Sequence, residues 1–282
     1  MSKADEYQER RLGAWRMQVL PAQWNEDLQQ RVLTIVMAEP PAKHPRTIEI
    51  NGGLDCERVF LKIFHPTPHL VAIKDVVRIS KSFRFWRQGL ALSAAGFQAP
   101  RVLAAGELRR WRLVQRSFVV TEKIEGKALP EFLRELLRRP DRLSIKRAGI
   151  TAFAEAVRRF HHLGFVHGDL VATNIFVTAD GDQKMKFYFM DNDRTQRLPS
   201  WLPHSLWKRN LIQLNRLPLP GVLLQDRMRF LAAYLGIVSW SRRERDFTRW
   251  IEARTRQRRR ECDGVEKTSF RELMRWREMP QS

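Results

Sequence analysis

Cysteine is nearly missing from this chain of 282 residues: Cys56 and Cys262 are all there is, in unrelated contexts. That excludes a disulfide framework and a thiolate metal site, and fits a protein that keeps its thiols reduced. Long apolar runs are missing too. The longest, "FLAAYLGIVSW" at residues 230–240, falls short of the ~20 residues that span a bilayer. The first residues, "MSKADEYQERRLGAW", place charges where a secretory leader needs an apolar stretch. The expectation is a cytoplasmic protein whose membrane contact is peripheral. Acids are scarce beside bases, 31 Asp and Glu against 51 Lys and Arg, a formal net charge of +20. Such a field concentrates anions, whether nucleic acid, anionic membrane or phosphorylated sugar, and does not choose among them. No nucleic-acid recognition motif accompanies the charge and the arginines are spread along the chain, so no specific nucleic acid is expected as a partner.

What is present is globular: 43% apolar and 29% charged residues, without repeats or low-complexity tracts. Residues 1–30 read as an amphipathic helical extension carrying Trp15, Leu20 and Trp24. Short β-like runs follow, "RVLTIVM" (31–37), "RTIEI" (46–50) and "RVFLKIF" (58–64), separated by "AEPPAKHP" and "NGGLDCE". A helix is expected over about 76–95, stopped by Gly96 and Pro100, then strands in "RVLAAGEL" (101–108) and "SFVVTEKI" (117–124). After "EGKALP" the period becomes helical, in "EFLRELLRR" (131–139) and "IKRAGITAFAEAVRRFHHLG" (145–164). A small hairpin, "NIFVT" and "KMKFYFMD", comes next, and the remainder is helical and rich in Trp and Arg. The pattern predicts an α+β chain: the extension 1–30, a small antiparallel β-rich lobe over 31–124 and a larger helical lobe over 125–282.

Chemistry concentrates in "HGDLVATN" (167–174) and "FMDNDR" (189–194). An aspartate can cap a helix and an asparagine can support a turn, but neither explains the whole set. Asp169, Asn174 and Asp191, on loops flanking one hairpin, are the parts of a phosphoryl-transfer site. One carboxylate accepts a hydroxyl proton, while an amide and a second carboxylate hold a divalent ion that prefers oxygen ligands. Protein kinases space these groups as H-R-D-x-x-x-x-N followed by a later Asp, and His167, Asp169, Asn174 and Asp191 keep that spacing. Asp169 is read as the base, Asn174 and Asp191 as Mg²⁺ ligands, and ATP as the phosphoryl donor.

A phosphate-clamping lysine has two candidates. "VAIK" (71–74) matches the kinase motif literally, but Lys74 lies just ahead of the expected helix, without a strand partner. Lys62 sits in "RVFLKIF", paired through "NGGLDCE" with "RTIEI", and is taken as the clamp. Two kinase parts are absent. There is no G-x-G-x-x-G, and no glutamate occurs between Glu57 and Glu107, so the helix over 76–95 has none to pair with the lysine.

The sequences "HGDLVATNIFV", "YFMDNDRT" and "GFQAPRVLAAGE" ahead of "SFVVTEKIEGKAL" resemble the lipopolysaccharide kinases of the Kdo/WaaP type. The resemblance covers roughly residues 30–260 and implies a bilobal protein-kinase-like fold. It implies ATP-dependent phosphorylation of Kdo or heptose in the lipopolysaccharide inner core, and an adenine-facing hinge near Glu122 to Ile124. Asp193 and Arg194 belong to the resemblance without an assigned role. The acceptor would be an anionic glycolipid on the cytoplasmic leaflet, so an anionic membrane surface is the expected second partner. "SWLPHSLWKRN" (200–210) is its candidate contact, the alternative being that its tryptophans are core. Competing readings are another small-molecule or protein kinase of the same fold, and a nucleotide-binding pseudokinase.

Overall fold

The structure, a computed structural model, describes residues 6–40, 42, 45–52, 58–65, 79–179, 185–199 and 205–263. The chain divides into two compact units, Met1–Glu125 with Asp191–Arg194, and Gly126–Met190 with Thr195–Ser282.

The first unit is built on a six-stranded sheet: β1 (Gln8–Leu12), β2 (Trp15–Val19), β3 (Arg46–Asn51), β4 (Arg58–Phe64), β5 (Val102–Arg110) and β6 (Leu113–Glu122). Its order is β1-β2-β5-β6-β4-β3, antiparallel at every step. One face is covered by α1 (Glu26–Ala38), whose Leu28, Val32 and Val36 share a core with Met17, Leu61, Ile63 and Phe118. The Asn25 side chain accepts the Leu28 N–H at 2.8 Å, a helix cap of about 1 kcal/mol. On the other face lies α2 (Lys81–Ala94), with Phe85 and Trp86 packed against Phe64, Val102 and Val119. Side chains alternate across a strand, so Lys62 stands on the α2 side of β4 while Leu61 and Ile63 face α1. A short 3₁₀ turn, Asn192–Arg194, packs against α2 in the same unit.

Two expectations about the N-terminal part are corrected. Within the expected helical extension, Gln8–Val19 is not helical: β1 and β2 form a hairpin that extends the sheet beside β5, and helix begins only at Glu26. Trp15, Met17 and Val19 are buried while Arg16 is exposed, a period of two that belongs to a strand. "RVLTIVM" is not a strand but part of α1. Its β-branched residues alone suggest β structure, but Leu28, Val32 and Val36 continue one apolar stripe at i, i+4, i+8 from the Asn25 cap. "VAIK" (71–74), most of "NGGLDCE" and part of "AEPPAKHP" lie outside the described residues.

The second unit is mainly helical: α3 (Leu129–Leu136), α4 (Arg142–His162), α5 (Leu206–Arg216), α6 (Leu224–Leu235) and α7 (Arg242–Asp263). Its strands are short. β7 (Lys127–Ala128) and β10 (Met185–Phe189) flank β9 (Ile175–Ala179), and β8 (Phe165–Val166) pairs with β11 (Gln196–Arg197). The long α4 is the axis. Phe160 stacks on Phe189 at 4.7 Å and meets Phe165 at 5.3 Å, while Phe153 meets Phe187 at 5.0 Å. Gly164, at φ +80°, turns the chain from α4 into β8. Lys146 reaches the buried Asp226 carboxylate at 2.8 Å, which also accepts the Leu223 N–H at the start of α6. Trp207, from the expected membrane segment, is half-buried against Tyr234 and Phe247 inside this unit.

Candidate active site

In the helical unit, the segment after β8 is fixed by its own polar groups. His167 Nε2 donates to the Met190 carbonyl at 2.8 Å, which leaves Nδ1 to accept the Asp169 N–H at 3.1 Å. The Asp169 carbonyl accepts from Val171 N at 2.9 Å and from the Asn174 side-chain amide at 2.9 Å. A 3₁₀ turn, Ala172–Asn174, follows, and the Asn174 carbonyl takes the Met190 N–H at 2.8 Å. Both ends of the β9–β10 hairpin are thereby tied to this loop, and the chain passes from Met190 directly to Asp191.

Beneath the loop lies a set of buried amides from α5. Asn210 Oδ1 accepts the His167 N–H at 2.9 Å and its Nδ2 donates to the His167 carbonyl at 2.7 Å. Gln213, one turn on, accepts from Leu170 N at 3.2 Å and from Asn210 Nδ2 at 2.9 Å through Oε1. Its Nε2 therefore points its protons at the Gly168 carbonyl and at Asp169 Oδ1, both at 3.3 Å. Because Asn210 Oδ1 is an acceptor, His161 must donate to it through Nε2 (3.1 Å) and accept from the Tyr234 hydroxyl through Nδ1 (2.9 Å). Burial pushes the Tyr234 phenol well above its ordinary range, so it stays a donor. The network runs from Tyr234 to the Asp169 carboxylate with every direction determined. Sequence reading missed Asn210, Gln213 and His161; the available signal was two amides on the apolar face of a short helix.

In the β-rich unit, Lys62 Nζ is bonded to Asp191 Oδ1, and its ammonium lies 5.3 Å from the centre of the Phe64 ring. Asp191 has φ +56°, a left-handed conformation that aspartate tolerates better than most residues. Asp193 is buried close by. Burial, followed by the Asp191 charge, pushes its carboxyl up to about 6. Two carboxylates so close repel each other, and a cation beside them would relieve the repulsion. The carboxylate oxygens of Asp191 and Asp193 are the donor type that a hard divalent ion such as Mg²⁺ prefers. Asp191 holds the Lys62 ammonium in this unit, where α2 carries no glutamate. Glu122 ends β6, its N–H on the Arg101 carbonyl at 3.0 Å and its carboxylate 3.4 Å from the Arg101 guanidinium. Ile124 is half-buried in the connection that follows. Lys74 lies outside the described residues.

The sequence profile described as the lipopolysaccharide kinase (Kdo/WaaP) family matches residues 74–234, more than half of the chain. Among solved structures, one described as WaaP in complex with acyl carrier protein superposes with a TM-score of 0.57 at 21% identity, over 78% of this chain and 87% of that one. The kinase domain of PknI from Mycobacterium tuberculosis gives a TM-score of 0.35 at 12% identity, over 70% of this chain and 71% of that one. No curated protein sequence matches. The fold is thus α+β and protein-kinase-like, an antiparallel-sheet unit and a larger helical one.

Proposed function

Because the chain belongs to the lipopolysaccharide kinase (Kdo/WaaP) family, phosphotransferases acting on a sugar hydroxyl, we propose that it transfers the γ-phosphate of ATP to a Kdo or heptose of the lipopolysaccharide inner core. The observation that carries this reading is Asp169, a carboxylate fixed by Gln213 inside the segment the family profile spans. Asp169 takes the proton of the attacking sugar hydroxyl. Lys62 places a positive charge on the ATP phosphates, and Glu122 to Ile124 meet the adenine. Asn174 and Asp191 would hold Mg²⁺, which would supply positive charge against the phosphates. Releasing Asp191 from Lys62 frees both groups for these tasks.

The test compares variants by nucleotide calorimetry and by mass spectrometry of the acceptor. Asp169→Ala should abolish phosphate transfer and leave Mg²⁺–ATP affinity near wild type. Asp191→Ala should lose Mg²⁺-dependent nucleotide binding as well. Lys62→Met should be severely impaired and Lys74→Met close to wild type. Nucleotide binding without transfer to any core sugar would favour the pseudokinase, and a better non-lipid acceptor would favour another kinase of this fold.

A second reading concerns a partner. The helical unit contains an open apolar cavity of about 960 Å³, walled by Leu133, Ile145, Phe153 and Leu231, with Arg227 and Arg256 among its lining residues. Such a cavity has room for an acyl chain, and arginines complement a phosphate-bearing carrier. An acyl carrier protein is therefore proposed as a partner of this chain as well. Copurification with acyl-loaded but not unloaded carrier is the expected result, and equal binding of both would remove the cavity from the interaction.

A further inference from the structure

We propose that one end of the six-stranded sheet is a docking surface for an anionic phospholipid bilayer, with Trp111 as its insertion point. The first observation is backbone strain. β5 and β6 are joined by the two-residue loop Trp111–Arg112, with φ +53° and +63°. Positive φ at both positions is the requirement of a type I′ turn, for which Asn-Gly is the favoured pair. An aromatic residue and an arginine are poor choices for that geometry. The fold tolerates the strain, and what it obtains is a tryptophan 83% exposed at a hairpin tip. Strain kept at an exposed position points to function and not to packing.

The surroundings give that function a chemistry. Trp15 of β2 pairs with Leu108 of β5, so the β1–β2 turn and the Trp111 tip leave the sheet at the same end. The β1–β2 turn presents Leu12, 49% exposed. Arg110 and Arg112 flank the tryptophan and have no ion pair among the described residues. Between the β1–β2 hairpin and α2 lies a cavity of about 530 Å³, lined by Arg11, Arg16, Arg87, Arg109, Phe83 and Trp86. Its one acidic lining residue, Glu107, is buried and holds the Arg109 guanidinium at 3.0 Å, while Arg16 lies 5.3 Å above the Phe83 ring. Arg11 and Arg16 share the Glu9 carboxylate at 3.1 and 3.2 Å, so Arg87 is the cavity arginine without an ion pair among the described residues. Two apolar tips, a ring of arginines and a basic pocket on one end of a sheet match a bilayer interface. Tryptophan sits at headgroup depth, and each Lys or Arg adds attraction to anionic lipid.

This inference rests on the proposed acceptor, a lipopolysaccharide sugar, being lipid-borne; it does not depend on the roles of Asp169 or Asp191. The full-length protein is sedimented with phosphatidylglycerol and with phosphatidylcholine vesicles, and its melting temperature is measured in parallel. The variant pair Trp111→Asn with Arg112→Gly installs the turn's preferred residues. It should raise the melting temperature by a few degrees while weakening binding to the anionic vesicles roughly tenfold or more. Arg87→Glu should weaken binding without touching the turn. A role confined to folding would move the two readouts together, so opposite movement is the signature. Unchanged vesicle binding in these variants, or equal binding of the wild type to phosphatidylcholine, would overturn the inference. So would full displacement by glycerol phosphate at constant ionic strength, which would make the pocket a site for soluble anions. Loss of acyl carrier protein capture with vesicle binding retained would make the tip a protein-docking site instead. Transfer to a delipidated core oligosaccharide should survive all three substitutions. If that transfer is missing in the wild type while tip-dependent vesicle binding holds, the kinase reading fails and this one stands.

Discussion

Gln213 places a side-chain amide against the carboxylate proposed to take the proton of the sugar hydroxyl. Its Oε1 takes Leu170 N and Asn210 Nδ2, so its Nε2 has no freedom to flip and must donate to Asp169 Oδ1 and the Gly168 carbonyl. Gln213→Leu keeps much of the volume and removes all four bonds. The buried Leu170 N–H then loses its partner, at a cost of about 1–3 kcal/mol, and Asp169 loses the donor that orients it. Turnover should fall ten- to a hundredfold, on the order of 1–3 kcal/mol in the barrier, with Mg²⁺–ATP affinity unchanged because no nucleotide contact is altered. Gln213→Glu separates positioning from packing. It preserves the acceptor for Leu170 N but turns a carboxylate oxygen toward Asp169. Like charge disfavours ionisation of a neighbouring carboxyl, so the acidic limb of the rate profile should move to higher pH. Equal turnover for wild type and both variants, at unchanged stability, would remove Gln213 from any positioning role.

At the scale of elements, the parts that were legible in the sequence are those whose neighbours in space are also neighbours in the chain. The β9–β10 hairpin brings its two ends back to Asn174 and Met190, so the spacing from His167 to Asp191 carried most of one loop's geometry. The β3–β4 pairing was legible for the same reason, and it placed Thr47 opposite Lys62. Elements whose partners are distant in sequence were misread. β2 lies beside β5, more than eighty residues on, and its Trp15–Met17–Val19 alternation, only five residues long, was outweighed by the wider spacing of Trp15, Leu20 and Trp24. In α1 the misreading came from treating residues 31–37 without Asn25 and Leu28, which supply the cap and the first apolar position of the stripe. The amides of α5 escaped notice because a buried Asn or Gln is distinguishable from an exposed one only when its partners are known. Those partners sit more than forty residues upstream, at His167 and Leu170. The Trp111–Arg112 turn is the reverse case. The expected strands, 101–108 and 117–124, left eight residues between them, and the two-residue turn with its positive φ angles is visible only once both strands pair.

At the scale of the whole molecule, the charge of +20 and the local basic surface make separable predictions about membrane attachment. Among the described residues no helix is long and apolar enough to cross a bilayer. Trp207, from the segment expected at that surface, packs against Tyr234 and Phe247, whereas Trp111 at the sheet end is 83% exposed. Long-range attraction from the summed charge is screened beyond ~8 Å at physiological ionic strength. Raising salt should therefore release the wild type from phosphatidylglycerol vesicles, as expected for a chain held mainly by its arginines. The slope of binding against salt counts the charges engaged, whereas Trp111 contributes an apolar term that salt does not weaken. Trp111→Asn alone should lower affinity at every salt concentration and leave the slope as it was. Arg110→Glu with Arg87→Glu should flatten the slope. The measurement is vesicle cosedimentation across a salt series for the three proteins. If the double charge reversal leaves the slope untouched, the engaged arginines lie elsewhere on the molecule, and the sheet end contributes only its tryptophan.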